Sequence, residues 1–188
     1  MDVREALRTR RTVHQFRAGA LPDGVLERAL TAALQAPNHR LTEPWRFVRV
    51  GAETRHALLE LGIALATGGS WATLPAPAQA RLEATVLNPA ELLVVSQVLH
   101  ADLAVRQEDF AAVACAVQNM SLSLWSEGVG SKWSTEALTE HPRVYAALGI
   151  DPERERIVGF FWAGFAAQPE PAKPRRRKPI DHVLRILP

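Results

Sequence analysis

Residues 106–128, RQEDFAAVACAVQNMSLSLWSEG, carry the longest helical pattern in the chain. Val113, Val117, Met120 and Leu124 recur at steps of four and three, so they lie along one side. Alanine occupies nearly every other direction. A helix that is apolar almost all round is buried, and alanine lets a second helix approach closely. Any fold of this chain must therefore cover that helix, with its own elements or with a second copy. With 188 residues, 47% of them hydrophobic and 22% charged, the composition suits one globular domain over residues 1–188 with a sizeable core. The run is no membrane span, because Gln118, Asn119, Ser121 and Ser123 interrupt it between Phe110 and Trp125.

The other segments mix helices and strands. Asp2 caps a first helix running to about Arg10, with Val3 and Leu7 on one face. LPDGVLERALTAALQAP reads as a second helix with Leu26, Leu30, Ala33 and Leu34 as its stripe, ended by Pro37. NHRLTEP is a polar loop, WRFVRVG a strand and AETRHALLELGIALA a helix. TGGSWATLPAPAQ, rich in Gly and Pro, is expected to be a loop or lid at residues 67–79, followed by a short helix ARLEATVL. ELLVVSQVL is a buried strand, VGSKWSTEAL a loop, HPRVYAALGI a short helix, and RIVGFFWAGFAA a central strand. A Pro-rich basic linker then leads to HVLRIL. No regular alternation of strand and helix emerges, which favours an α+β fold.

The net charge of +2 conceals an asymmetry: residues 170–188 hold six basic and two acidic residues, so the tail is basic and the body slightly acidic. PRRRKP has no interleaved aromatics and no basic face to continue it, so no nucleic-acid partner is expected. The charged start MDVREALRTR is no signal peptide. The single cysteine, Cys115, permits no intrachain disulfide and suits a reducing cytoplasm.

Much common catalytic machinery is missing. The chain has no G-x-G-x-x-G, no phosphate-cradling P-loop and no G-x-S-x-G. Its six histidines lack metal-ligand spacing, so no metal site is expected. Cys115 lies inside a helix, away from any polar setting that would make it a nucleophile. Glu108 and Asp109 are neighbours that face different ways on a helix and read as solvated. If the chain is an enzyme, a bound cofactor carries the reactivity and no side chain is a required catalyst.

Four stretches remain. RRTVHQF at residues 10–16 sets two guanidinium groups and a hydroxyl together. APNHRLTEPWRF places Gln35 just before it and His39 in a loop ahead of a strand. EGVGSKWST is a glycine-bearing turn after the long helix. KPRRRKP is the basic tail. Each has a plain alternative: basic groups complement a helix C-terminus, glycines end helices, and basic tails are solvated.

Taken in order, these stretches resemble the FMN-dependent nitroreductase family, in particular its compact single-domain bacterial branch. Arg10, Arg11, Thr12, Val13, His14, Gln15 and Phe16 stand where the family opens R-R-S-x-R-x-F. Ala36, Pro37, His39, Pro44, Trp45 and Phe47 match a second element. Gly128, Gly130, Trp133, Ser134 and Thr135 match the turn after the long helix. Val158, Gly159, Phe160 and Gly164 match a glycine-bearing strand, and Arg175 to Lys178 a basic segment.

The resemblance implies a central, mostly antiparallel sheet flanked by helices, with a C-terminal segment extending onto a partner subunit. It implies noncovalent FMN, NADH or NADPH as electron donor, and a small-molecule acceptor such as a nitroaromatic or a quinone. Arg10, Arg11, Thr12 and His14 would hold the phosphate and ribityl end, since guanidinium forks pair phosphate bidentately. Arg175 and Arg177 would add positive charge. Gln35 and His39 would reach the flavin from the partner of a homodimer. The loop at Trp133, Ser134, Thr135 and Glu136 would turn N–H groups toward the flavin, as an oxyanion hole does toward developing charge.

Three positions depart from the pattern. His14 stands where the family usually has Arg, which weakens one phosphate contact. Ser134 stands where close relatives often carry Arg. Glu136 stands where the family usually has Gly, at a cost of ~1–2 kcal/mol if the backbone there is left-handed. The His14 and Glu136 departures keep one alternative in view, a low-turnover flavin-binding or sensor protein; a second is a helical interaction module whose basic tail meets an acidic partner.

Overall fold

The structure, a computed structural model, describes residues 1–135, 137–168 and 177–187. Helix α1 (Val3–Thr9) starts at Asp2, whose carboxylate accepts from the Glu5 N–H at 2.8 Å. It stops before RRTVHQF, whose backbone leaves the helix at Arg10. Val13 and Phe16 in that stretch are fully buried, and Phe16–Arg17 forms strand β1. Burial of Val13 and Phe16 has outweighed helix continuation here.

Helix α2 (Val25–Ala33) follows Gly24, which takes a φ of 76° that its turn demands. Strand β2 (Trp45–Arg49) leads to helix α3 (Ala52–Thr67). After a 3₁₀ turn at Trp71–Thr73 comes helix α4 (Ala76–Leu82), which continues as a π-helical turn over Glu83–Leu87. This helix starts earlier than its sequence pattern suggests. Pro75 precedes it and Pro77 sits in its first turn, where a missing N–H costs no intrahelical bond.

Strand β3 (Glu91–Val98) precedes the long helix α5 (Leu103–Ser126), which is capped by Asp102. Gly130–Ser134, expected to be a loop, is strand β4. Helix α6 (Pro142–Leu148) and the twelve-residue strand β5 (Glu155–Ala166) follow. In the tail the described residues form one 3₁₀ turn, Ile180–His182, and no strand.

The five strands form one sheet in the order β1-β5-β3-β2, with β4 also paired to β5. Among the described residues every strand pair is antiparallel, and only an isolated bridge between Thr12 and Ser131 is parallel. Helices cover both faces. Leu93, Val95, Phe161 and Ala163 pack on α2 and α5, while Leu92, Val94, Phe160 and Trp162 pack toward α3 and α6. A bulge between Val95 and Ser96 gives β5 one extra residue. It inverts the alternation below that point, so that Ile157 joins the α3–α6 core and Val158 the other.

Helix α5 is not covered on all sides by its own chain. Val105, Ala112, Val113, Ala116, Val117, Met120 and Leu124 are buried. The opposite side leaves Leu103 74% and Phe110 44% exposed, with Gln107 and Gln118 beside them. Leu34, expected in the stripe of α2, is also exposed.

Candidate functional site

Beside the exposed side of α5 lies a cavity of about 180 Å³ lined by three parts of the chain. The N-terminal segment contributes Arg10 and Thr12, α5 contributes Ala114, Val117, Gln118 and Ser121, and β4 contributes Ser131 and Trp133.

The N-terminal segment is fixed from both ends. The Val13 N–H donates to the Ser131 carbonyl at 3.0 Å, beside the Thr12–Ser131 bridge. Gly130 makes this approach possible: a Cβ there would lie 3.0 Å from the Val13 Cβ. Upstream, the Trp125 indole N–H on α5 donates to the Thr9 hydroxyl at 2.9 Å. Ser131 and Trp133 alternate with Ser134 along β4, so the first two face the cavity and Ser134 faces away. The Ser134 hydroxyl accepts from the Trp162 indole N–H at 3.2 Å.

Of the residues singled out in the sequence, Arg10, Thr12 and Trp133 therefore line one cavity. Arg11 is turned elsewhere: its Nη1 donates to the carbonyls of Arg8, Thr9 and Arg10 at 2.9–3.0 Å, closing the end of α1. His14, Thr135 and Arg177 are exposed. Gln35 and His39 are exposed too, and neither lines this cavity. Glu136 and Arg175 lie outside the described residues. Gln118, Ser121 and Ser131 line the cavity without having been anticipated. In the sequence Gln118 and Ser121 only break an apolar run, but their spacing of three puts both polar groups on one side of α5.

The loop holding His39 is strained and tightly bridged. Arg40, Leu41 and Glu43 have φ of 65°, 53° and 45°, in the left-handed region without a glycine. Asn38 Oδ1 accepts from the Glu43 N–H at 2.7 Å. Thr42 donates to Asp109 Oδ1 at 2.5 Å, and His39 Nδ1 lies 2.8 Å from Glu108. Glu108 and Asp109 are thus not simply solvated: Asp109 is buried on α5, and both acids hold this loop. Facing different ways on the helix lets one reach His39 and the other Thr42.

Elsewhere, Arg28 and Glu127 join α2 to the end of α5 through hydrogen bonds of 3.1 and 2.5 Å. The guanidinium bonds hold the Glu127 carboxyl below its ordinary value and raise Arg28. Among the described residues no group of His, Cys, Asp and Glu could hold a metal ion. No helix among them is long and apolar enough to cross a membrane.

The model of the Nitroreductase family matches residues 7–165, which run from the end of α1 into the last residues of β5. The chain belongs to the nitroreductase family. It is an oxidoreductase with the α+β nitroreductase-like fold. It is 32% identical over 179 residues to "Putative NAD(P)H nitroreductase YfhC" of Bacillus subtilis (strain 168), covering 95% of this chain and 90% of that one. Its fold superposes on a nitroreductase-like family protein from Bacillus cereus with a TM-score of 0.80 at 24% identity, over 100% and 96% of the two chains. A nitroreductase with bound FMN from Bacteroides fragilis gives a TM-score of 0.74 at 23% identity, over the whole of both chains.

Proposed function

We propose that this single-domain nitroreductase binds FMN noncovalently and uses NADH or NADPH to reduce nitroaromatics, quinones or similar electrophiles. The observation that carries this is the cavity joining Arg10, Thr12, Ser131 and Trp133. Its donors suit a phosphorylated polyol: a guanidinium for the phosphate, and three hydroxyls and the Gln118 amide for oxygens. Its volume of about 180 Å³ is less than the ~300–1,000 Å³ usual for ligand pockets. One chain therefore supports only part of the site.

A second copy supplies the rest on this reading. The exposed side of α5, with Leu103 and Phe110, is the face that a partner covers in a homodimer. Gln35 and His39 then reach the partner's flavin from their exposed positions. The C-terminal segment, whose Ile180, Val183, Leu184, Ile186 and Leu187 are all more than half exposed, extends onto the partner. Arg175, Arg177 and His14 add charge near the phosphate, and backbone N–H groups from Trp133 to Glu136 face the flavin. Arg11 serves this arrangement indirectly, by closing α1 and holding Arg10 in place. The enzyme acts in the cytoplasm, with no nucleic-acid or membrane partner.

FMN held by Arg10, Thr12, Ser131 and Trp133 would supply the redox chemistry, that of a two-electron carrier between reduced nicotinamide and the acceptor. The protein positions the ring, and solvent provides protons. No dinucleotide-binding glycine pattern exists elsewhere in the chain, so donor and acceptor use one site in turn, a ping-pong order. Protein incubated with FMN and gel-filtered should be yellow and oxidise NAD(P)H with a nitroaromatic or quinone present. Double-reciprocal plots at several acceptor concentrations should be parallel. Protein that stays colourless with excess FMN refutes the cofactor, and intersecting lines refute the shared site.

A further inference from the structure

A second cavity, of about 410 Å³, opens where β2 turns into α3, and it shares no lining residue with the first. Arg49, Gly51, Arg55, His56, Leu87 and Glu91 line it. We infer that this cavity is a binding site for a phosphate group, held by the start of α3 and the Arg55 guanidinium.

Three observations carry the inference. Arg55 is 9% exposed, and its Nε is the one buried side-chain nitrogen or oxygen among the described residues with no hydrogen-bond partner. Its Nη1 donates only to backbone, to the Leu87 and Pro89 carbonyls at 3.2 and 2.6 Å. Burial disfavours its charge and lowers its pKa, with partial relief from Glu91. A buried cation with no bonded anion is a costly arrangement that a bound anion would relieve.

The nearby carboxylate is already committed. Glu91 receives Arg49 on both oxygens, at 2.6 and 2.7 Å. That leaves Arg55 and His56 facing the cavity without an acidic hydrogen-bond partner, and the carboxylates that oppose an incoming anion are Glu91, offset by Arg49, and the exposed Glu53 in the first turn of α3.

Finally, sixteen-residue α3 has Gly51 as its N-cap residue and so no side-chain cap. The Arg55 N–H is taken by the Gly51 carbonyl, so the N–H groups of Ala52, Glu53 and Thr54 are the orphan donors of the first turn. Such donors, with the positive end of the helix dipole, suit a tetrahedral anion. The absence of a side chain at Gly51 keeps the approach open, since a Cβ there meets nothing within 4 Å.

The test is a titration of isotope-labelled, FMN-saturated protein with inorganic phosphate, reading the backbone amides of Ala52, Glu53 and Thr54. The same readout applies to the chain as purified should it hold no FMN, so failure of the cofactor proposal leaves this one testable. These amides should shift saturably at or below about 10 mM phosphate, and sodium chloride of equal ionic strength should not move them. Adenosine 2′-monophosphate binding at least about tenfold tighter than phosphate would show that a nucleotide carries the group, and equal affinity would show free phosphate. Gly51→Asp puts a carboxylate at the helix cap, which holds or raises the melting temperature while it competes with the anion. Phosphate affinity should fall at least about tenfold in that variant. No saturable shift, an equal response to chloride, or unchanged affinity in Gly51→Asp overturns the inference.

Discussion

Replacing Gly159 with alanine tests how the Trp133 wall of the cavity is built. A Cβ at position 159 would sit 2.8 Å from the Ser134 carbonyl oxygen and 2.8 Å from Trp133 Cδ1. The indole can rotate, because Trp133 is 36% exposed. The carbonyl cannot move alone, because Ser134 is paired to Phe160 in the β4–β5 ladder. Overpacking of this kind costs ~1–3 kcal/mol, and alanine's less mobile unfolded chain returns only ~0.4–1 kcal/mol. The net loss, on the order of 1–2 kcal/mol, lowers the melting temperature by ~2–8 °C for a chain of this size. Circular dichroism melts of the protein and of Gly159→Ala measure it. Adding Trp133→Ala to Gly159→Ala should recover only part of the loss, since the clash with Ser134 remains. A melting temperature that is unchanged or higher in Gly159→Ala would show that β4 is not held against β5 as described.

Arg10→Ala removes a charge-assisted bond worth ~1.5–3 kcal/mol, so FMN affinity measured by fluorescence quenching should fall ~10- to 150-fold. Ala114→Arg places a long cation on the cavity side of α5 and should give monomers without flavin, read by light scattering and the visible spectrum. The depressed Glu127 carboxyl stabilises the fold above glutamate's ordinary pKa of 4.5, and that stability is lost as pH falls through the lower folded value. Melts of the protein and of Arg28→Ala should therefore differ at neutral pH and converge in acid.

The fold was legible wherever burial alone sets the pattern. The runs ELLVVSQVL and RIVGFFWAGFAA are strands buried on both faces, and α5 carries its buried stripe as spaced. Strand β4 escaped notice because Gly130–Ser134 has little intrinsic strand character. It pairs because β5 offers it an edge and Gly130 makes room for Val13. The cavity was half legible. Arg10, Thr12 and Trp133 were found through their order along the chain. Ser121 and Ser131 were missed because a small hydroxyl near an apolar stretch looks like tolerated polarity until the third dimension brings two together. Arg11 misled for a related reason: adjacent guanidinium groups look alike in sequence, yet one turns to the helix end and the other to the cavity.

The left-handed residues at Arg40, Leu41 and Glu43 also bear on how the molecule breathes. Each non-glycine residue there raises the energy by ~1–2 kcal/mol, so the segment between Asn38 and Pro44 stores a few kcal/mol that its neighbours restrain. The restraints are polar and local: they include the Asn38 amide bonds to Glu43 and Thr42, the Arg46–Glu43 carbonyl bond, the Thr42–Asp109 bond and the His39–Glu108 contact. Opening this loop releases strain, whereas opening β3 or β5 exposes core. Amide hydrogens here should therefore exchange through local excursions far less costly than global unfolding. Glycine at position 41 would relax the native backbone but also free the unfolded chain, so its effect on stability is small while the loop loses its preset shape. The sequence has kept a loop that is held in shape by tension instead of being allowed to settle.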